Sequence, residues 1–450
     1  MQTLFYFILA IGVLVAFHEF GHFWVARKSG VKVLRFSVGF GKVIWSYQKS
    51  PASTEYALSA IPLGGYVKMV DEREGPVEPE DLPYAFNRQP LLARFAIVLA
   101  GPVFNLILAV FLYWCVFTIG ETGIKPILGQ IEPNTLSAQA GFQEGDEIVS
   151  VNDSKTPTWT EAITSIVTSA IDSDKEIKIQ VASSLGEPET RFLKIPEQVS
   201  DDPKILYEKL GLKPWSPKIA PIIGKILPEG SAEQAGLQTG DVLISADNIA
   251  LTEWMQWVDY VRDHADKSIA LEIEREGVRL QLDIIPKGVE TEEGIIGKIG
   301  AGVEIPEGIR DSMIVEYSLP PLAALTAAFS KTYDFSAATL KMMGRMLIGK
   351  ASVENLSGPI SIAQYAGQSA EMGLTSFLKF LALVSVSLGV INLLPVPVLD
   401  GGHLMFYVIE AVKGSPVSEK IQIFFQQVGM MLLMLLMGLA IILDIERLFQ

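Results

Sequence analysis

Four long apolar stretches constrain this 450-residue chain more than any other feature. They run from about Leu4 to Ala26, Leu91 to Ile119, Phe377 to Leu399 and Ile423 to Leu443. Each reaches about 20 residues, the length at which a helix crosses roughly 30 Å of hydrocarbon. One such stretch alone would suit a buried core helix; four together predict a polytopic α-helical membrane protein with four transmembrane helices. Only 19% of residues are charged and the mean hydropathy is +0.33, both unlike a soluble chain of this size. The first stretch reads as a span, not a secretory signal: no basic residue precedes it, and Arg27 and Lys28 follow it in place of small residues.

Charge placement gives an orientation. Arg27, Lys28, Lys32 and Arg35 follow the first span, and Arg88 and Arg94 flank the second. The positive-inside rule puts that loop in the cytoplasm, hence both termini and the long segment after the second span on the outer side. That segment, Glu121 to Asp311, holds 34 acidic and 18 basic residues, which accounts for the whole net charge of −15. An acidic balance of this kind excludes a general nucleic-acid binder, so no nucleic-acid partner is expected. The lone Cys115 cannot form an internal disulfide.

The outer segment repeats itself. Ile127-Leu-Gly-Gln-Ile-Glu-Pro133 matches Ile222-Ile-Gly-Lys-Ile-Leu-Pro228, and Gln139-Ala-Gly-Phe-Gln-Glu-Gly-Asp146 matches Gln234-Ala-Gly-Leu-Gln-Thr-Gly-Asp241. Each copy predicts a strand, a short helix, a glycine turn and a strand. Hairpins follow over Glu176–Val181 with Arg191–Ile195, and Ser268–Glu274 with Val278–Ile284. Pro196 to Pro221 reads as an inter-domain linker. The pattern resembles two tandem PDZ domains of bacterial membrane and periplasmic proteases, over 121–215 and 216–310. If such domains hold a peptide carboxylate, Ile127, Leu128, Gly129 and Ile222, Ile223, Gly224 are the expected loops; if they act as spacers, the glycines only make turns. Elsewhere, alternation over Val33–Val38, Lys42–Tyr47 and Glu55–Ile61 predicts a small antiparallel sheet on the cytoplasmic side within 31–90. Helical spacing over Tyr317–Gly349 suits a membrane-surface or linker helix within 311–373.

The chemistry concentrates in His18-Glu-Phe-Gly-His22, inside the first span, 1–30. Two imidazoles at i and i+4 share a helix face and reach one ion, while Glu19 between them is placed to act as a general base on a water. Burying such groups in a bilayer is costly, which favours a functional role over accident. A third ligand is needed. His264 lies in the outer segment. His403 and Asp400 both end the motif Asn392-Leu-Leu-Pro-Val-Pro-Val-Leu-Asp-Gly-Gly-His403, whose prolines break a helix and predict an extended segment.

The first-span His-Glu-x-x-His with the late Asn-x-x-Pro-x-Pro-x-Leu-Asp-Gly resembles the site-2 protease family of intramembrane zinc metalloproteases. Pro62-Leu-Gly-Gly-Tyr-Val-Lys68 and Gly101-Pro-Val-Phe-Asn105 add to it, and the resemblance covers nearly the whole chain. It implies a Zn2+ cofactor held by His18, His22 and Asp400, with Glu19 as base. It also implies substrate handling by Asn392, Pro395 and Pro397, within 374–403. The sheet carrying Gly64, Gly65 and Tyr66 then resembles a re-entrant β-loop that pairs with an unwound substrate. The expected setting is the bacterial inner membrane, with the site toward the cytoplasm. The expected partners are the lipid bilayer and a single-span anti-sigma factor already trimmed by a first protease, with remnant signal peptides as a second class. The PDZ pair is expected to exclude untrimmed substrates. The remaining segments are assigned as a span at 91–120, a cytoplasmic loop at 404–420 and a span at 421–450.

Overall fold

The computed structural model describes residues 2–50, 52–171, 176–196, 203–291, 294–304, 306, 308–348 and 358–449. The chain divides into two compact units, Met1–Thr122 with Glu316–Phe449, and Gly123–Val315.

The first unit is built on helices α1 (Gln2–Lys28) and α2 (Leu91–Ile119) and the hairpin β1 (Val33–Tyr47) and β2 (Glu55–Met69) between them. Later in the chain come α3 (Pro321–Leu347), α4 (Pro359–Glu371), α5 (Leu374–Asn392), α6 (Asp400–Lys413) and α7 (Glu419–Phe449). Of these, α1, α2, α5 and α7 are long and apolar enough to cross a membrane. Close approach of α1 to α2 depends on Gly21, where a Cβ would strike the Ala100 carbonyl. Gly389 plays the same part between α5 and α2, against the Pro102 carbonyl and Leu106. Leu14, Tyr113, Val116 and Val386 fill the space so formed. Helix α3 packs on this core through Ala324 and Ala328 and stacks Phe335 on Tyr113. Of the 311–373 region, residues 349–357 lie outside the described residues.

The third apolar stretch is not one helix. It stops at Asn392, and residues 393–399 form consecutive tight turns in place of the expected extended segment. The amides of Leu393 and Leu394 close on Val390 and Ile391, and that of Val396 on Leu394. Nor is 404–420 simply a loop, because α6 runs from Asp400 to Lys413 and Gly414 ends it in the left-handed conformation (φ 77°). Its apolar face buries Leu404, Phe406 and Tyr407, and Glu410 meets the Arg94 guanidinium at 2.6 and 3.2 Å. Gly401 and Gly402 let the start of the helix sit under the carbonyls of Leu393, Leu394 and Val396.

Both strands of the hairpin bend, so four segments pair in the order Val43–Tyr47, Tyr56–Ser59, Arg35–Val38, Gly65–Lys68. Gly65 allows the last segment to press on α1 beside Glu19 and Val15.

The second unit holds the repeat. One sheet has the order Ser154–Lys155, Glu147–Val151, Glu176–Ala182, Pro188–Lys194; the other has Ile249–Ala250, Val242–Ala246, Ile269–Arg275, Val278–Ile284. Helices Leu136–Gln139 and Trp159–Ile171 recur as Ser231–Gln234 and Trp254–Asp263, each starting 95 residues later. Asn152-Asp153 and Asp247-Asn248 make tight turns at positive φ, where these residue types are tolerated best. The presumed linker, 196–221, needs correction. Residues 197–202 lie outside the described residues, but Pro203–Leu210 is a helix, and Leu206, Leu210 and Leu212 are fully buried in the core of the first copy. Three buried leucines, two of them one turn apart on the helix and the third just past its end, outweigh the prolines around them.

The recurring Gly-Asp has a structural cause. Asp146 and Asp241, each 1% exposed, accept the amides of Gln143 and Gln238 three residues earlier and meet Arg191 and Arg275 from the hairpin. Burial alone would raise the Asp241 carboxyl. Two bonds from Arg275 and the Gln238 amide outweigh it and hold the group below the usual carboxylate range. Its contribution is therefore present above the unfolded value of about 3.9 and is lost as pH falls through the depressed folded value. Arg275→Ala in the intact protein is expected to weaken the second copy by about 1.5–3 kcal/mol, the worth of charged hydrogen bonds. Hydrogen exchange should then speed up across Val242–Ala246 and stay unchanged across Glu147–Val151.

Candidate active site

Helix α1 delivers His18 and His22 one turn apart, with their Nε2 atoms 3.2 Å from each other. Asp400, in the first turn of α6, brings Oδ2 to 3.1 Å from His18 Nε2 and 3.6 Å from His22 Nε2. A tetrahedral ion with bonds of about 2.05 Å has ligand atoms about 3.3 Å apart. Two imidazole nitrogens and one carboxylate oxygen at these separations fit that ion and leave its fourth position open. Among the described residues, these three form the one group of histidine, cysteine and acidic side chains close enough to share a metal.

Helix α2 forms the back wall. At Gly101 a Cβ would collide with His22 Nε2 and His18 Cε1, so only glycine leaves room for both rings. One turn before it, the Ile97 carbonyl accepts from His22 Nδ1 at 2.8 Å; one turn after it, the Asn105 side chain lies 3.1 Å from His18 Nδ1. Positions 97, 101 and 105 thus present one face, i, i+4 and i+8, to the histidine pair. The Arg94–Glu410 pair ties α6, and with it Asp400, to the same helix, and Arg94 also covers the Tyr407 ring.

A cavity of about 640 Å³ opens onto the group. Its walls include His18, Glu19, His22, Asp400, Gly65 and Tyr66. Glu19 is buried (9% exposed) beside Gly65, within the same cavity as the three ligand candidates. His403 also lines it but stands outside the ligand group. Gly64 is not on the wall; it sits at φ 144° under the Phe40 ring. Asn392, Pro395 and Pro397 are not wall residues either. Asn392 ends α5, and Pro397 packs between Gly402 and Gly429, so these residues shape the turn that presents Asp400.

The expected carboxylate loops of the second unit are engaged elsewhere. Leu128 donates its amide to Asp146 and Gly129 to Lys213, while Trp215 donates to Ile127. In the second copy Ile222 donates to Ala220 and Ile223 to Asp241, and Gly224 lies in a strand that pairs with Ala301–Val303. A later segment of each copy pairs with these strands, and the amides of Leu128, Gly129, Ile222 and Ile223 are already taken up within the copy.

Sequence reasoning quoted Asn105 without giving it a role and passed over Asp71, Arg73, Tyr407, Gln422 and Gln426; all but Asn105 line the cavity. The signal for Asn105 was present: an amide in an apolar span, four residues after a glycine, needs a partner. Nothing local marked the others, which arrive from three separate segments.

Residues 6–436 match a family described as peptidase family M50. The chain is 45% identical to the regulator of sigma-E protease RseP of Salmonella typhimurium (strain 14028s / SGSC 2262), over 98% of both chains. It is 44% identical to the protein of the same name from Escherichia coli (strain K12), again over 98% of both. A Neisseria meningitidis protein, 45% identical over the full length of both chains, carries zinc metalloprotease in its name.

Gly101→Ala should disturb the histidine pair directly. The expected result is loss of divalent-metal binding in the purified protein with helical content preserved. Retention of wild-type metal affinity would show that the back wall yields.

Proposed function

The chain belongs to peptidase family M50 and is a zinc metalloprotease, and we propose that it cuts single-span membrane proteins within or beside their spans. The observation that carries this reading is the convergence of His18, His22 and Asp400 at tetrahedral separations beside a buried Glu19, with both histidines on a helix apolar enough to cross a bilayer.

In this reading His18, His22 and Asp400 hold the zinc ion. When bound, zinc supplies Lewis acidity, which acidifies a water and polarises a carbonyl. Glu19 takes the proton of the attacking water and returns it to the leaving amine. Burial of Glu19 keeps bulk water from competing for that proton. The peptide bond must first be exposed, because a helical substrate hides it in its own ladder. Segment Gly65–Lys68 pairs with Arg35–Val38 on one side, and residues Gly65, Tyr66 and Val67 line the cavity. That edge suits an unwound substrate added as a further strand, with Gly65 giving the closest backbone approach.

The relatives' name, regulator of sigma-E protease, points to a membrane-bound anti-sigma factor as substrate, trimmed beforehand; remnant signal peptides share the same chemistry of a short single span. The basic residues after α1 support an inner-membrane arrangement with the site toward the cytoplasm and the second unit in the periplasm. That unit we read as two PDZ-like copies serving as a size filter. Its repeated sheets support the PDZ likeness, and the engaged amides of Leu128, Gly129 and Ile223 favour a filter over a tail-binding groove.

Purified Glu19→Gln is expected to retain zinc at wild-type stoichiometry and to lose cleavage of a trimmed anti-sigma substrate by about 10²-fold or more. Wild-type turnover in that variant would remove Glu19 from the base role. Removing residues 123–315 is expected to admit untrimmed substrates; if the shortened enzyme still cuts trimmed ones alone, the filter reading fails.

A further inference from the structure

A histidine that offers Nε2 to a metal must carry its ring proton on Nδ1, and a hydrogen-bond acceptor there sets the tautomer. His22 meets this requirement through the backbone: its Nδ1 lies 2.8 Å from the Ile97 carbonyl, which can only accept. Among the described residues no carbonyl bonds to His18 Nδ1. The group there is the side-chain amide of Asn105, 3.1 Å away and 1% exposed. A primary amide can present either end. Its nitrogen end would donate to Nδ1 and drive the proton to Nε2, the atom that faces Asp400 and His22. Its oxygen end would accept the Nδ1 proton and leave Nε2 with a lone pair. The Asn105 Oδ1 is buried with no hydrogen-bond partner. Half a turn about the Cβ–Cγ bond gives that orphan oxygen the ring proton it lacks, at little other change in shape.

We infer that Asn105 is a positioning residue that sets the tautomer of His18: its side-chain oxygen accepts the Nδ1 proton and so reserves Nε2 for the metal. The residue is well placed to hold that geometry. Its backbone carbonyl accepts from Ser385 Oγ at 2.7 Å, which pins this turn of α2 to α5. Gly101, one turn earlier, lets the imidazole reach it. The two histidines are then gripped by one helix face in two ways, a backbone carbonyl for His22 and an amide side chain for His18. This inference rests on the zinc-protease reading above.

The test compares full-length wild type with Asn105→Leu, Asn105→Asp and Ser385→Ala, purified and loaded with zinc. Leucine keeps the bulk and removes the acceptor; aspartate keeps an acceptor; Ser385→Ala disturbs only the packing of this turn. Zinc affinity by chelator competition is expected to fall by roughly 10–100-fold in Asn105→Leu, the usual cost of losing a ligand's supporting hydrogen bond. Asn105→Asp and Ser385→Ala should stay within a few-fold of wild type. Nitrogen-15 histidine spectra of zinc-loaded wild type should show His18 protonated at Nδ1. Wild-type zinc affinity in Asn105→Leu overturns the inference, as does an equal loss in all three variants, which would mark a packing role. If Asn105→Leu does not fold, the spectrum decides: a His18 protonated at Nε2 in the wild type overturns it. Failure of the parent reading looks different, because wild type itself would then bind no zinc or cut no substrate.

Discussion

Hydrocarbon cannot solvate a polar group, so every imidazole, carboxylate and amide placed among these spans needs a partner within the protein. The helix arrangement answers that demand. Two histidines and Asp400 face one another, and α2 meets the outer edges of both rings with a carbonyl and an amide. The glycine between those two groups is what allows the contact distance. Helix α6 would otherwise be a short, weakly held element. A bidentate Arg94–Glu410 pair, both side chains about 15% exposed or less, ties it to α2, and so fixes where Asp400 can stand. Metal chemistry and helix packing are therefore one problem here, solved on a single face of a single helix.

Hydropathy made much of this legible. The second apolar stretch coincides with α2 from Leu91 to Ile119, and the first and last lie within α1 and α7. The i, i+4 spacing put His18 and His22 on one face. What hydropathy could not register was direction. Phe377 to Leu399 is largely apolar, yet a helix ends inside it at Asn392, because apolar content says nothing about Pro395 and Pro397 following one helix and Asp400 starting the next. The missing Cβ atoms of Gly401 and Gly402 are likewise needed to seat a helix under three carbonyls. Asn392, Pro395 and Pro397, expected to handle the substrate, also build the approach to Asp400.

In the second unit the repeat was readable and its internal pairing was not. An offset of 95 residues marks the copies from sequence alone, and the buried Gly-Asp turns explain why that motif recurs. The partners of Ile127–Gly129 and Ile222–Gly224 lie far along the chain: Leu128 bridges Pro214, 86 residues on, and Ile223 pairs with Val303, 80 residues on. Pairing over such separations leaves no local trace. For the same reason Pro203–Leu210 read as a linker, although its leucines complete the core of the first copy.

The turn between α5 and α6 carries a further lesson about life in an apolar medium. Seven residues there leave the helical ladder, and a loop of seven ordinary residues would bring seven amide hydrogens that water is not at hand to satisfy. Two of the seven are prolines and have none. Of the five that remain, Leu393, Leu394, Val396 and Leu399 donate to carbonyls within the turn or the end of the preceding helix. Proline in this place does more than end a helix: it lowers the number of donors to be satisfied, and so makes an irregular path tolerable at a depth where only regular ones normally survive.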